Sequence, residues 1–218
     1  MSKSIRLCLV LLPCLMLITS GCATTTPYDY TAFKRSRPRS IVVIPPTNNS
    51  IEVNAPYIYL STLTRPLAEK GYYVFPVYMI DYFLKENGLP TPAEMNGIPL
   101  DKIGEHIGAD AVLYVSIEEW GQKYQVIQSV TKVHAKLRLV DVKTGDLLWN
   151  STAIAQESSG DSGGGLAGML VNAVITQVLS STITDPTPGL ARQANHLAID
   201  SQASGMLDGP YKSSTAKK

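Results

Sequence analysis

Cysteine is nearly missing from this chain. Its three copies, Cys8, Cys14 and Cys22, all fall within the first 22 of 218 residues. None follows, so no disulfide can staple the remainder. Histidine is as scarce, and His106, His134 and His196 have no metal-ligand spacing with one another or with a cysteine. Charged residues make up 17% and the formal net charge is +1. There is thus no basic surplus of the kind that holds nucleic acid. Beyond the N-terminus no apolar run reaches the length of a membrane span. No fixed-period repeat is present, which excludes a solenoid.

The N-terminus carries an address rather than structure. Lys3 and Arg6 are followed by the apolar stretch Leu7 to Ile18 and by the small residues Thr19, Ser20 and Gly21. That order is a secretory signal peptide over residues 1–21. Ser20-Gly21-Cys22 resembles the lipobox of bacterial lipoproteins, with Thr19 standing where leucine is usual. The resemblance implies cleavage between Gly21 and Cys22, with N-acyl (palmitate) and S-diacylglycerol chains on Cys22. Several acyl chains anchor a protein stably, where one holds only marginally. Ala23 after the cysteine implies sorting to the outer membrane, facing the periplasm. Removing Lys3 and Arg6 from the 19 basic residues leaves 17 against 18 acidic ones, a net charge of −1. The lipid, not charge, would then hold the protein at the membrane.

Four segments follow from composition: the signal at 1–21, a lipidated tether and basic lead-in at 22–39, one α/β domain at 40–203, and a flexible polar tail at 204–218. Tyr28 to Arg39 reads as a first short helix. Ile41 to Ile44 is a strand apolar on both faces, ended by Pro45-Pro46. Tyr57 to Lys70 has helical spacing with Pro66 inside it, and Gly71 caps it. Tyr72 to Val77 is a second strand. Ile80 to Asn87 and Leu100 to Ile107 are short helices around a Pro-rich loop. From Ala111 the pattern changes to a meander. Val133, Ala135, Leu137 and Leu139 alternate with Lys132, His134, Lys136 and Arg138, and a Lys143 to Asp146 turn returns the chain through Leu147 to Ala155. The fold class is therefore α/β: a single domain with a mixed sheet, a βαβ start, an antiparallel meander and helices packed on it. Leu166 to Ile183 is an apolar C-terminal helix. Its stripe of Leu166, Met169, Leu170, Val174 and Val178 is a core face, or else an interface with a partner or a second copy. Leu190 to Gln202 forms a last helix, and the chain frays from Gly205.

Two familiar patterns overlap in Glu157 to Gly168. Gly160-Asp161-Ser162-Gly163-Gly164 looks like the nucleophile loop of trypsin-type proteases, but no histidine has the setting that chemistry needs and a mature chain of 197 residues has too few strands for two barrels. Gly163, Gly165 and Gly168 have dinucleotide-turn spacing, but the preceding strand belongs to a hairpin, not to a βαβ unit. The plain reading is a pliable loop. Glu118 and Glu119 are adjacent on a strand, so they should point to opposite faces and form no acid/base pair. Tyr57 and Tyr59, like Tyr72 and Tyr73, read as helix and strand packing. No catalytic residue, metal or cofactor is expected.

The segments YDYTAFKRSRPRSIVVIPP, GYYVFPV, GADAVLYVSIEEWG, AKLRLVDVKTGDLLW and GGGLAGMLVNAVITQV together resemble a family of bacterial lipoproteins of unknown function that includes a meningococcal surface-antigen candidate. The resemblance runs from about Tyr28 to Tyr211. It implies a domain similar to the N-terminal domain of TolB, association with a lipoprotein resembling the curli secretion channel, and a non-enzymatic accessory or scaffold role in an envelope transport or assembly complex. The competing class is a small-ligand binder or hydrolase built on Ser162 and its glycines. A chromosomal Ser162→Ala substitution separates the two: the accessory reading expects no envelope phenotype, and loss of function would favour the hydrolase.

Overall fold

Ile41, Val42, Val43 and Ile44 are all 0% exposed. A strand apolar on both faces needs a neighbour on each edge and a layer on each side, and these requirements organise the domain. The structure is a computed structural model, and its described residues are 27–124, 129–159 and 185–212. Along the chain they form α1 (Thr31–Ser36), β1 (Ser40–Val43), β2 (Thr47–Asn48), α2 (Ala55–Ser61), α3 (Thr64–Glu69), β3 (Tyr73–Val74), α4 (Val77–Glu86), α5 (Pro92–Met95), α6 (Leu100–His106), β4 (Ala111–Tyr124), β5 (Ser129–Asp141), β6 (Leu147–Ser159) and α7 (Thr187–Ile199).

The sheet order is β3-β1-β4-β5-β6, with β2 also beside β4. β1 is parallel to β3 and β4, whereas β4, β5 and β6 are antiparallel. The expected mixed sheet is therefore present. The meander strands have 13 or 14 residues against four in β1, so they overshoot the parallel part. One sheet face is fully clad. Leu113, Ile117, Trp120, Leu137, Trp149 and Ala153 meet Phe33 of α1, Tyr59 of α2, Leu67 of α3 and Ala191, Ala194 and Ala198 of α7. Among the described residues the other face is clad only near β1, where Val42, Ile44 and Val112 meet Ile80 and Leu84 of α4, Met95 of α5 and Ile103 of α6.

Local signals explain several differences from the sequence reading. The single helix expected over Tyr57 to Lys70 is two, broken at Thr62 and Leu63. Pro66 sits in the first turn of α3, where a missing N–H costs nothing. The loop at Leu89 to Pro99 holds α5, which a Thr91/Glu94 capping box starts. The strand expected over Tyr72 to Val77 shortens to β3, because Pro76 opens α4. The apolar helix expected at Leu166 to Ile183 lies outside the described residues.

The tail departs most from expectation. Residues up to Lys212 are fastened to the domain. Tyr30 donates its hydroxyl hydrogen to Gly205 O (2.5 Å) and Tyr72 to Leu207 O (2.6 Å). The Gly209 and Tyr211 N–H groups donate to Lys70 O and Gly71 O. Gly71 has φ +90°, and a Cβ there would lie 2.2 Å from Lys212 N; a Cβ on Gly209 would lie 2.4 Å from Gly71 O. Two glycines thus let the chain end pass against the α3–β3 turn.

Two polar devices lock the frame. The fully buried Asn195 of α7 accepts from the Tyr59 hydroxyl (2.5 Å) and donates to Thr62 Oγ1 (2.8 Å). Burial pushes the Tyr59 hydroxyl well above the usual phenol range, so it stays a donor. At the β5–β6 turn, Asp141 accepts from the Lys143 and Thr144 N–H groups and from the Ser36 hydroxyl. Burial by itself would raise its carboxyl, but these bonds outweigh that and hold it below the usual carboxylate range.

Asn195→Ala should cost about 2–4 kcal/mol, because it leaves the Tyr59 hydroxyl buried and unpaired beside a small void; urea unfolding measures it. Asp141 has its pKa depressed in the folded state. Its stabilisation is therefore complete above the unfolded value near ~3.9 and is lost as pH falls through the lower folded value. Asp141→Asn should lower stability at pH 6 and flatten the acid limb of the stability curve, as read by denaturant titration at each pH.

Candidate functional site: the open sheet face and the aromatic helix

The residues singled out in the sequence for lipidation, cleavage, interface or hydrolysis are Gly21, Cys22, Ser162, Leu166, Met169, Leu170, Val174 and Val178. All lie outside the described residues. The three histidines are dispersed over α6, β5 and α7, and each neighbours one carboxylate: Glu105, Glu119 and Asp200 respectively. Among the described residues no three His, Cys, Asp or Glu side chains converge as a metal site.

The uncovered face of the meander corrects one expectation. A β-bulge at Glu118 shifts the β4–β5 register between Ile117 and Glu119. The extra residue puts two successive side chains on one side of the strand. Glu118 lies 3.5 Å from Lys136, and Glu119 lies 3.0 Å from Lys132 and 3.7 Å from His134. Lys132, His134 and Lys136 share one face of β5, so both glutamates do too, contrary to strict alternation. Ser116 donates to Glu118 at 2.9 Å. That bond first, with Lys136 helping, holds the Glu118 carboxyl below its usual range. Such a carboxylate stays ionised and is a poor proton carrier near neutral pH. The pair is thus a cross-strand charge ladder. Beside it a groove of about 810 Å³ runs past Tyr114 and Arg138 to Leu100 and Leu147.

The second feature is α4, which is apolar nearly all round. It carries three i,i+4 pairs: Tyr78/Tyr82, Met79/Phe83 and Ile80/Leu84. The last pair is buried, while Tyr78 is 73%, Met79 57% and Tyr82 52% exposed. The Tyr78 and Tyr82 rings stack at 6.5 Å. Lys85 bonds Asp81 (2.7 Å) and the Tyr57 hydroxyl (3.2 Å), with its ammonium 4.9 Å from the Tyr57 ring centre. The bond to Asp81, then that to Tyr57, raises its pKa and keeps it charged. Behind α4 an apolar pocket of about 460 Å³ opens between Phe83, Leu89, Ile98 and Ile107. Of the tyrosines read as packing, Tyr59 and Tyr72 are buried, but Tyr57 and Tyr73 are about half exposed. The sequence signal that points to this surface is a helix apolar on more faces than one sheet can cover. Exposed tyrosine and methionine clusters are typical of protein interfaces.

The described residues thus form an unevenly clad mixed sheet with an ion-paired face and an exposed aromatic helix. The chain belongs to the GNA1162-like family, described as "Putative lipoprotein GNA1162-like", whose model matches residues 28–211. It is 41% identical over 184 residues to "Putative lipoprotein NMB1124/NMB1162" of Neisseria meningitidis serogroup B (strain ATCC BAA-335 / MC58), which covers 84% of this chain and 85% of that protein. The crystal structure of lipoprotein GNA1162 from Neisseria meningitidis matches with a TM-score of 0.55 and 43% identity, over 66% of this chain and 100% of that one. Among the described residues no helix is long and apolar enough to cross a membrane.

Proposed function

We propose that this chain is a lipoprotein anchored in the outer membrane through acylated Cys22, facing the periplasm, where it serves as a non-enzymatic scaffold or accessory subunit of an envelope transport or assembly complex. Family membership and the Ser20-Gly21-Cys22-Ala23 sequence support the anchor. The observation that carries the accessory role is the separation of anchor and aromatic surface. Tyr28 is six residues beyond Cys22, which allows roughly 20 Å of extended tether. Its hydroxyl accepts the Asn150 N–H of β6. The α4 surface packs on β1, three strand spacings from β6 or roughly 14 Å across the sheet. A lipid-held domain would therefore hold β6 near the membrane and offer Tyr78, Met79 and Tyr82 to a protein partner. A lipoprotein resembling the curli secretion channel is the partner class that the family resemblance implies.

In-cell crosslinking, detergent purification and mass spectrometry test this. Cys22→Ser should leave a folded domain that has lost its acyl mass, its membrane fraction and its envelope partner. Tyr78→Ser with Tyr82→Ser should keep the lipid and stay within about 0.5 kcal/mol of normal stability, since both are exposed, yet lose the partner. Full function of the Cys22→Ser form in a soluble state would refute the anchored role.

A further inference from the structure

The lead-in joins the domain at one margin. Tyr28, six residues beyond Cys22, takes the Asn150 N–H at 2.8 Å, and Arg35 of α1 bonds Asp146 of the β5–β6 turn at 2.6 Å. Four exposed cations crowd this short stretch: Lys34, Arg35, Arg37 and Arg39. Two face carboxylates, Arg35 at Asp146 and Arg39 at 3.9 Å from Asp110. Lys34 and Arg37 join no ion pair among the described residues. The acids around them are already engaged. Asp29 accepts the Thr31 N–H at 2.8 Å, and Lys34 is the weakest of the influences on its carboxyl. Asp208 lies 3.7 Å from both Lys70 and Lys212.

Arg37 also has φ +48°, and among the described residues no other non-glycine has a positive φ. Glycine is the usual occupant of that place after a helix, and strained residues of other kinds cluster at ligand sites. The Arg37 Nε–H donates to Lys34 O at 3.2 Å, which folds the guanidinium back alongside α1. Lys34 and Arg37 there flank a hollow of about 360 Å³ between α1 and the fastened chain end. Phe33 and Tyr72, both 4% exposed, and Leu207 give it an apolar lining. Two free cations at the rim of an apolar hollow suit an amphiphile with an anionic head better than a free ion. We propose that Lys34 and Arg37 form a headgroup site for an anionic phospholipid, with both cations on its phosphate and its glycerol end against the apolar lining. The inference rests on the proposed acylation of Cys22, which brings a bilayer within reach. The chain from Cys22 to Lys34, extended and then helical, spans at most roughly 35 Å. Two cations at an anionic surface strengthen binding roughly thirtyfold. That is too little to anchor the protein, but enough to set which way an anchored domain faces.

The purified acylated chain in nanodiscs of phosphatidylcholine, alone or mixed equally with phosphatidylglycerol, tests this through amine acetylation read by mass spectrometry. Lys34 should acetylate roughly tenfold more slowly on the anionic discs, and high salt should erase the difference. Lys102, on a helix packed against the opposite face of the sheet, should react alike on both. Arg37→Gly suits the left-handed backbone, so the fold stays intact, yet it should cut the Lys34 protection to about twofold. Equal Lys34 rates on the two discs would overturn the proposal. So would protection that Arg37→Gly leaves whole, or equal protection by inorganic phosphate on phosphatidylcholine discs. A chain without acyl mass fails the anchor alone. The site is then read from co-sedimentation with vesicles of the same mixture, where binding that Arg37→Gly weakens supports it and absence of binding overturns it.

Discussion

The side-chain amide of Asn195 is the joint on which this domain turns. It is fully buried in a helix otherwise built from Leu190, Ala191, Ala194, Ala198 and Ile199 on its inner face. A buried amide is costly unless both its ends are bonded, and here only one placement of α7 bonds both, to Tyr59 and Thr62 of the α2 turn. Apolar contacts alone would let a helix lined with alanine slide along the sheet. The amide removes that freedom. Once α7 is fixed, the clad face of the meander is covered at a set position, and Trp149 can pass its indole N–H to Ser204 O.

Covering is deliberately unequal. Among the described residues the parallel part of the sheet is covered on both sides and the antiparallel part on one. The open half is kept wettable by charges that neutralise one another across strands, Glu118 with Lys136 and Glu119 with Lys132. Neither pair is fully buried, and ion pairs that water reaches contribute little to stability. What they provide is a hydrated, largely ion-paired face, next to an α4 surface of apolar character.

Much of this frame was legible in the sequence, because periodicity reports burial. The doubly apolar Ile41 to Ile44 run gave β1, and the alternation from Lys132 to Leu139 gave β5 with its polar side correctly assigned. Three things were hidden for physical reasons. A bulge leaves no mark on composition, so Glu118 and Glu119 were assigned to opposite faces. An exposed tyrosine and a buried one look alike in sequence, and only the limited area of sheet beneath α4 decides between them. The tail is polar, which suggests fraying, yet its carbonyls and amides bond specific backbone groups that only the folded domain assembles. Cys22, which the sequence ties most directly to the membrane, lies outside the described residues.

The fastening of the last segment also sets the order of events when the chain is made. Gly205 to Lys212 bridges Tyr30, near the beginning of the fold, to Tyr72 and the α3–β3 turn, so its contacts span more than a hundred positions. A nascent chain emerging from its N-terminus can build the β1 unit and the meander early, but it cannot close the domain until Gly205 to Lys212 have emerged. Closure is thus a late act in the domain's synthesis. A chain cut short before Gly205 lacks Met206 and the bonds to Tyr30, Tyr72 and the α3–β3 turn, so incomplete products would carry an unfinished core and be open to proteolysis.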